Sequence, residues 1–278
     1  MSLLGLFDRL RFPVPDARRV GFLTRTPFAN RGLHGTRHIE NSRAAVGAAV
    51  DHGYAVKIDV QFSLDGMAYV IADPTLDRLT ETSGQVRHYS SKQLSQIRLR
   101  DSNETLPKLD EILGLVAGRT PVLVELKAIE GHVSQLCVAV RHAIESYRGE
   151  AAVMSLHGEV SRWFSSHGER ITRGLMLSDS SIYAKEEGSE KVQALWRARP
   201  EFLAFDIADL PNRFAQRQRK RGIPILTWTV GSAEQQAISI TVAAEAEKAA
   251  AADRAEAIRI GAEAEAEKQR VGAKGTAD

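Results

Sequence analysis

The sequence predicts an α/β fold in which parallel strands alternate with helices. Between residues 27 and 230, short runs rich in β-branched and aromatic residues alternate with segments of helical apolar spacing. Hydrophobic residues make up 43% of the 278-residue chain, which is ample for a sizeable core. This order is typical of a TIM-type (β/α) barrel, in which functional side chains collect at the carboxyl ends of the strands.

Seven short runs are predicted to form the barrel wall. They cover residues 28–32, 55–60, 122–126, 152–155, 171–175, 202–206 and 223–228. Residues 133–147 predict a helix because their apolar side chains recur at helical spacing. Another helix is expected over residues 41–51, with Asn41 as its capping residue.

One connection differs from this alternation of strand and helix. Asp65 and Gly66 follow the second strand as a two-residue hairpin signal, after which the chain returns through Tyr69. Asp59 and Ala72 lie about equally far from this turn on its two sides. A hairpin would therefore bring them to similar heights above the barrel.

The composition changes after Val230. Residues 241–278 are dominated by Ala, Glu, Lys and Arg and contain no Pro or aromatic residue, which is typical of a long polar helix. The runs A-E-A-E-K-A-A-A-A and A-E-A-E-A-E-K-Q-R resemble the Ala/Glu-rich helical region of flotillin-like proteins. We expect an N-terminal helical extension over residues 1–26, the barrel over 27–236 and a helical tail over 237–278. The tail is expected to support self-association, and the barrel is predicted to lack its last strand.

Charge and hydropathy exclude several classes of protein. The net charge is +2 with acids and bases interspersed, so nucleic acid is not an expected partner. No stretch approaches the roughly 20 apolar residues that span a bilayer, and the N-terminus lacks the features of a secretory signal. The sequence thus predicts a cytoplasmic protein without a transmembrane segment. Cys137 lies in an apolar helical rhythm and is predicted to be a buried thiol.

A series of motifs gives more specific information. They are N-R-G-L-H at 30–34, I-E-N at 39–41, V-K-I-D-V at 56–60, V-I-A-D at 70–73, V-E-L-K at 124–127 and G-I-P-I-L-T-W-T-V at 222–230. In this order they resemble the glycerophosphodiester phosphodiesterase family, whose pattern is H-R-G, P-E-N, I-E-x-D-V, D-G and V-V-x-H-D. The resemblance covers roughly residues 27–230.

The resemblance implies metal-dependent hydrolysis of glycerophosphodiesters to glycerol 3-phosphate and an alcohol. It also implies a Ca²⁺ or Mg²⁺ ion held by three carboxylates, with two histidines for proton transfer. Asp59 and Glu125 occupy two of the metal-ligand positions, but Lys57 occupies the third. Asn30 and Ala72 stand at the two histidine positions.

Three further residues keep positions that the resemblance assigns to substrate binding. Arg31 and Lys127 suit the phosphate oxygens, and Trp228 suits the alcohol or glycerol moiety, although burial in the core explains Trp228 equally well. The expected ligand is a small phosphodiester or a phosphorylated compound.

Lys57 is open to two interpretations. It lies two residues from Asp59 on one strand, so both side chains point to the same face. In the first interpretation its ammonium replaces the charge of the metal and keeps an anion-binding pocket. In the second it forms a salt bridge that stabilises an inactive pocket. Under both interpretations, no divalent metal is expected to bind.

Three hypotheses for the function follow. The chain is a phosphodiesterase of this family, with catalysis impaired at three positions. Alternatively, Arg31, Lys57 and Lys127 form a metal-independent site for a phosphorylated ligand. In the third hypothesis, the chain is an inert chimeric scaffold whose C-terminal helix mediates association.

Overall fold

A computed structural model describes residues 12–178 and 189–232 of the chain. Its centre is one parallel sheet that curls into a nearly closed barrel, with an antiparallel hairpin strand added to the second strand. The strands are β1 (Phe28–Asn30), β2 (Ala55–Phe62), β3 (Ala68–Val70), β4 (Val122–Leu126), β5 (Ala151–Ser155), β6 (Thr172–Leu177), β7 (Phe202–Asp206) and β8 (Ile225–Trp228).

Helices connect the strands and cover the outside of the barrel. They are α1 (Ala17–Val20), α2 (Arg43–Asp51), α3 (Ser91–Leu94), α4 (Leu109–Val116), α5 (Val133–Glu145), α6 (Gly158–His167), α7 (Ser189–Ala198) and α8 (Arg213–Lys220), with 3₁₀ turns at Gly21–Thr24, Val86–His88 and Ile207–Asp209. Among the described residues, no helix is both long and apolar enough to cross a membrane.

The strand order confirms the predicted barrel. Its wall runs β1-β2-β4-β5-β6-β7-β8, with parallel pairing at each step. The Asp65–Gly66 hairpin is also confirmed, because β3 pairs antiparallel with β2 and Val60 lies opposite Val70. Within the described ranges no strand joins β8 to β1, which agrees with the expectation that the last strand is missing.

Alternation along the strands separates two apolar layers. Val56, Ile58 and Val60 of β2 face outward and pack with the helices. A second cluster fills the barrel interior: it consists of Val20, Phe22, Leu23, Leu123, Ala152, Met154, Met176, Phe202 and Ala204. The intervening β2 residues Lys57 and Asp59 are also buried, but they contact ionic partners rather than either apolar layer. Successive side chains of a strand point to opposite faces, so the charged residues that alternate with these valine and isoleucine residues face the inside of the barrel.

The two edge strands are less protected than the rest of the wall. Every residue of β2 and β4 is buried, whereas β1 is partly exposed along its whole length and β8 after its first residue. A side-chain hydrogen bond crosses the open seam between them, in which Asn30 Nδ2 donates to Thr229 Oγ1 over 3.2 Å. The expected tail over residues 237–278 and the first eleven residues lie outside the described part of the chain.

Candidate functional site

The candidate site is built on the neighbouring strands β2 and β4. The parallel register places Asp59 of β2 directly opposite Glu125 of β4, while Lys57 lies opposite Asn30 of β1. Asp59 is fully buried and Glu125 is 3% exposed. The strands thus bring the two predicted metal-ligand carboxylates together, and Lys57 points into the same space.

The ammonium of Lys57 lies between the two carboxylates. Its Nζ is 2.5 Å from Asp59 Oδ1, and it also pairs with Glu125 Oε2. Lys127 approaches the same pair, with its Nζ 2.5 Å from Glu125 Oε1 and 3.4 Å from Asp59 Oδ1. Each carboxylate therefore contacts two ammonium groups, and the negative charge at the centre of the site is already compensated.

Arg31 supplies the third cation that reaches Asp59. Its Nε lies 2.9 Å from Asp59 Oδ2, at ion-pair distance without hydrogen-bond geometry, and its Nη1 donates to Glu40 Oε1 over 2.9 Å. The Arg31 backbone is left-handed at φ 59°, and it is held by hydrogen bonds to Lys57 O (2.6 Å) and from Asn41 N (2.9 Å). Because L-residues rarely adopt this φ, the loop is held in a strained conformation next to the site.

The neighbouring Gly32 allows this loop to lie against α2. Its φ is +79°, and a β-carbon placed there would come within 2.6 Å of the Ala45 carbonyl carbon and oxygen. The next residue, Leu33, donates its N–H to the same Ala45 oxygen over 2.9 Å. A glycine is required here both by the backbone angle and by the close approach.

Asn41 holds Asp59 instead of capping a helix. Its Nδ2 donates to Asp59 Oδ2 and its Oδ1 accepts from Asp59 N, both over 3.2 Å. The predicted cap at Asn41 is wrong, because Ser42 Oγ accepts from Ala45 N over 3.1 Å and begins α2 one residue later. Ser42 is also a good capping residue, and it takes this role because the Asn41 amide binds the buried carboxylate.

Arg78 is a participant that the sequence interpretation missed. Its guanidinium pairs with Glu40, and its Nε lies 2.6 Å from Asp73 Oδ2. It belongs to the segment T-L-D-R-L-T, whose position relative to the site cannot be inferred without the tertiary fold. We call the whole set the ionic network: it contains Arg31, Lys57, Arg78, Lys127, Glu40, Asp59, Asp73 and Glu125. Its four cations and four carboxylates balance.

The electrostatics of the network keep Asp59 and Lys127 charged at neutral pH. Burial raises the pKa of Asp59, but Lys57, Lys127 and Arg31 outweigh burial and hold that pKa well below its usual range. Burial likewise lowers the pKa of Lys127, and the Asp59 and Glu125 carboxylates reverse this and raise it. At neutral pH Asp59 is therefore an anion and Lys127 a cation.

The two histidine positions provide no group that exchanges protons near neutral pH. Asn30 Oδ1 is buried without a hydrogen-bond partner among the described residues, while its Nδ2 reaches Thr229. Ala72 is buried just beyond β3. An amide titrates far from neutrality and a methyl group does not titrate, so general acid–base catalysis has no group at these two positions.

A cavity of about 1020 Å³ opens beside the network, along the seam. Asn30, Lys57 and Trp228 line it together with apolar residues of the barrel interior, and His34 lies at its exposed rim. Trp228 also packs on the interior apolar cluster, and its predicted role in substrate binding stays a prediction. The cavity is large enough for a small ligand.

The residues present do not fit a divalent cation. Ca²⁺ and Mg²⁺ require six or more oxygen ligands in most sites. Asp59 and Glu125 are the two carboxylates here, and the Lys57 ammonium contacts both of them where a metal ion would have to lie. Within residues 12–178 and 189–232, no group of three His, Cys, Asp or Glu side chains is arranged to hold a metal.

Comparison with known proteins agrees with the motifs. Residues 31–246 match the glycerophosphoryl diester phosphodiesterase family. Glycerophosphodiester phosphodiesterase 1 of Bos taurus is 22% identical over 262 residues, covering 81% of this chain and 78% of that protein. A glycerophosphodiester phosphodiesterase of Bacillus altitudinis is 32% identical over 107 residues, covering 36% of this chain and 43% of the relative.

Solved structures show the same fold. An Oleispira antarctica phosphodiesterase in complex with its product sn-glycerol-3-phosphate superposes with a TM-score of 0.69 at 20% identity, covering 78% of this chain and 89% of the other. The glycerophosphodiester phosphodiesterase of Agrobacterium tumefaciens gives 0.59 at 24% identity, covering 79% and 92%. At these identities the likeness concerns the barrel alone.

Proposed function

The chain belongs to the glycerophosphoryl diester phosphodiesterase family, and from that premise we propose that it retains the barrel while its pocket has lost metal-dependent hydrolysis. The observation that carries the proposal is the position of Lys57. Its ammonium contacts both Asp59 and Glu125, the two carboxylates left for a metal ion. In the family reaction, a glycerophosphodiester is cleaved to glycerol 3-phosphate and an alcohol.

Hydrolysis of a phosphodiester makes three demands on a site. A cation must neutralise the phosphoryl oxygens, a base must activate the nucleophile, and an acid must protonate the leaving oxygen. Asn30 and Ala72 supply neither acid nor base, and each loss costs about 10²–10⁴-fold in rate. Lys57, Lys127 and Arg31 are cations, but each is paired with a carboxylate.

Charge balance supports the same conclusion. The ionic network is neutral with Lys57 in place and without any metal ion. A glutamate at this position would change the network by two negative charges, which is the charge that a divalent cation compensates. Lys57 therefore removes the electrostatic demand for a metal as well as one of its ligands.

The decisive test restores the three positions together. The triple variant Asn30→His, Lys57→Glu, Ala72→His is assayed for glycerophosphocholine hydrolysis with added Ca²⁺ or Mg²⁺. We expect no measurable hydrolysis by the wild type and a gain of at least about 100-fold over background in the triple variant. The matched control, Asn30→His with Ala72→His, keeps Lys57 and should remain inactive. Wild-type turnover within about 100-fold of an intact relative would overturn the proposal.

Metal binding can be measured without any activity. For Lys57→Glu, Ca²⁺ or Mg²⁺ should raise the melting temperature, because the unbalanced carboxylates then gain a compensating cation. The wild type should show no shift at the same concentrations. A specific metal-dependent shift in the wild type would show that Lys57 does not block the position.

A second candidate function is metal-independent binding of a phosphorylated ligand. It is favoured by the partial exposure of Arg31 and Lys127, whose side chains are 28% and 27% exposed despite their ion pairs. Since the Oleispira antarctica relative was solved with sn-glycerol-3-phosphate, that compound is the appropriate probe. Calorimetric titration in the presence of a chelator should give heat with the wild type, and less heat with Lys127→Met than with the control Lys108→Met. If the wild type gives no heat, the chain is better described as an inert scaffold.

We further propose that residues 237–278 form a helix that mediates self-association, and that the protein works in the cytoplasm. The Ala/Glu-rich composition and the flotillin-like repeats support the first statement. A chain ending at Gln236 should then elute later in size-exclusion chromatography than the loss of mass alone predicts. Identical oligomeric states with and without the tail would exclude this role.

A further inference from the structure

Helix α8 carries a stripe of cations on its exposed face. Arg213, Arg217 and Lys220 are all exposed, and their spacings of four and three residues place them along one side of the helix. Ala215 and Gln218 are buried on the side that faces the barrel. The stripe is thus a surface feature, separate from the packing of the helix.

Among the residues that the structure describes, no acidic side chain pairs with this stripe. The chain has no Asp or Glu between Leu210 and Ser232. In the described part of the protein, no carboxylate forms an ion pair with Arg213, Arg217 or Lys220. Elsewhere on the barrel, cations such as Arg78 and Arg173 are paired with carboxylates. The local charge is therefore strongly positive although the whole chain is only +2.

Helix electrostatics do not explain the complete stripe. Arg217 and Lys220 lie in the last turn, where the negative end of the helix dipole favours cations. Arg213 is the first residue of α8, at the positive end, where a cation is unfavourable. Like charges three and four residues apart also repel each other. An anionic partner would relieve both effects.

An exposed aliphatic side chain lies at the end of the stripe. Val14 is 52% exposed, and its Cγ1 is 3.2 Å from the place that a β-carbon at Gly222 would take, just beyond the end of α8. Phe214, the aromatic residue of α8, packs inward on the apolar cluster of this side of the barrel. The surface therefore offers cations and an aliphatic contact, without an aromatic ring from α8 on which a base could stack.

We propose that this face of α8, with Val14, docks on a lipid bilayer that contains anionic lipids. A row of cations beside a small apolar residue suits an interface where phosphate groups lie above acyl chains. The helix runs along the outside of the barrel from the carboxyl end of β7 to the amino end of β8. Arg213 therefore lies toward the end that holds the ionic network, and Lys220 and Val14 lie toward the opposite end, so the docking face is the side of the barrel.

The test is co-sedimentation of the full chain with vesicles. Phosphatidylcholine vesicles with and without phosphatidylserine are compared at low and high salt. We expect binding that requires phosphatidylserine and weakens as salt rises. Each cation near the membrane contributes about fivefold to partitioning, so Arg213→Glu, Arg217→Glu, Lys220→Glu together should lower it by at least about 100-fold. The conservative variant with Lys at positions 213 and 217 should bind like the wild type.

A matched control separates the stripe from total charge. Lys92→Glu, Arg98→Glu, Arg162→Glu changes the net charge by the same amount at exposed positions on other elements, and should reduce binding far less. Thermal melts of both triple variants establish that they are folded. An equal loss in the control, no dependence on phosphatidylserine, or tighter binding to duplex DNA than to vesicles would each overturn the proposal.

Discussion

The inner strands β2 and β4 differ from the edge strands β1 and β8 in how they hold functional positions. Both inner strands are buried throughout, and their polar residues Lys57, Asp59 and Glu125 satisfy one another within the ionic network. The edge strands are partly exposed, and Asn30 at the end of β1 bonds to Thr229 just after β8. Lys57, at a predicted metal-ligand position, thus has two buried ionic partners, whereas Asn30, at a predicted histidine position, has one side-chain hydrogen bond at the seam.

This difference shows that the substitutions are not equivalent. Lys57 is tied to two buried carboxylates, so a change there disturbs charges that are largely shielded from water. Asn30 lies at an open seam, where solvent can replace a lost contact. The barrel should therefore tolerate changes at the seam and resist changes in the network.

Removal of the Lys57 charge should produce the largest effect. Lys57→Met leaves Asp59 and Glu125 buried with one cation fewer, and we expect a loss of about 3–5 kcal/mol in the free energy of unfolding. Urea denaturation measures it. Lys127→Met is the matched control, and its loss should be smaller because that side chain is 27% exposed. The double variant Lys57→Met, Glu125→Gln should recover part of the loss.

A loss below about 1 kcal/mol for Lys57→Met would remove the contrast between the inner and edge strands. It would mean that water enters the network and screens its charges. The double-variant comparison would then show no coupling between positions 57 and 125.

The loop after β1 provides the second test, because it fixes an exposed strand to the helical layer. Gly32→Ala introduces a β-carbon at φ +79° and within 2.6 Å of the Ala45 backbone. We expect a loss of roughly 2–4 kcal/mol from the strained backbone and the clash. Gly35→Ala, where a β-carbon meets nothing within 4 Å, should stay within about 0.5 kcal/mol of wild type. Similar losses of unfolding free energy in the two variants would show that the loop shifts to accommodate the added methyl group at little cost.

The sequence predicted the inner strands well and the contacts between loops poorly. Alternation along one strand is enough to place Lys57 and Asp59 on the same face, and the motif order is enough to bring Glu125 near them. These inferences need only strand periodicity and the rule that functional residues collect at one end of a barrel.

Other features depend on long-range packing. The contact of Arg78 with Glu40 joins residues 38 positions apart in two irregular segments. The turn of Asn41 toward Asp59 depends on which of two capping residues lies nearer a buried carboxylate. The Asn30–Thr229 contact depends on how far the curled sheet closes. None of these has a periodic pattern in the sequence.

Acid should weaken the network before it affects the seam. The folded pKa of Asp59 lies below its usual value of about 3.9, so ionised Asp59 contributes stability above that pH. As the pH falls from about 4 towards the folded pKa, the unfolded state binds its proton first and this contribution is lost. Asp59→Asn should have a shallower fall in unfolding free energy between pH 4 and 2.5, by on the order of 1–2 kcal/mol. If the unfolding free energy of Asp59→Asn falls as steeply with pH as that of the wild type, other carboxylates cause the acid sensitivity.

The smallest effect is expected at the seam itself. Thr229→Val keeps the shape of the side chain but removes the acceptor of the Asn30 Nδ2 hydrogen bond. Thr229 is exposed, so water can take over the hydrogen bond, and we expect the free energy of unfolding to change by less than about 0.5 kcal/mol. Hydrogen exchange gives a more local measurement, because faster exchange at β1 and β8 with unchanged global stability would indicate local opening of the seam. A global loss of about 2 kcal/mol or more would mean that this bond holds the barrel closed, and the seam would then rank with the ionic network as a structural support.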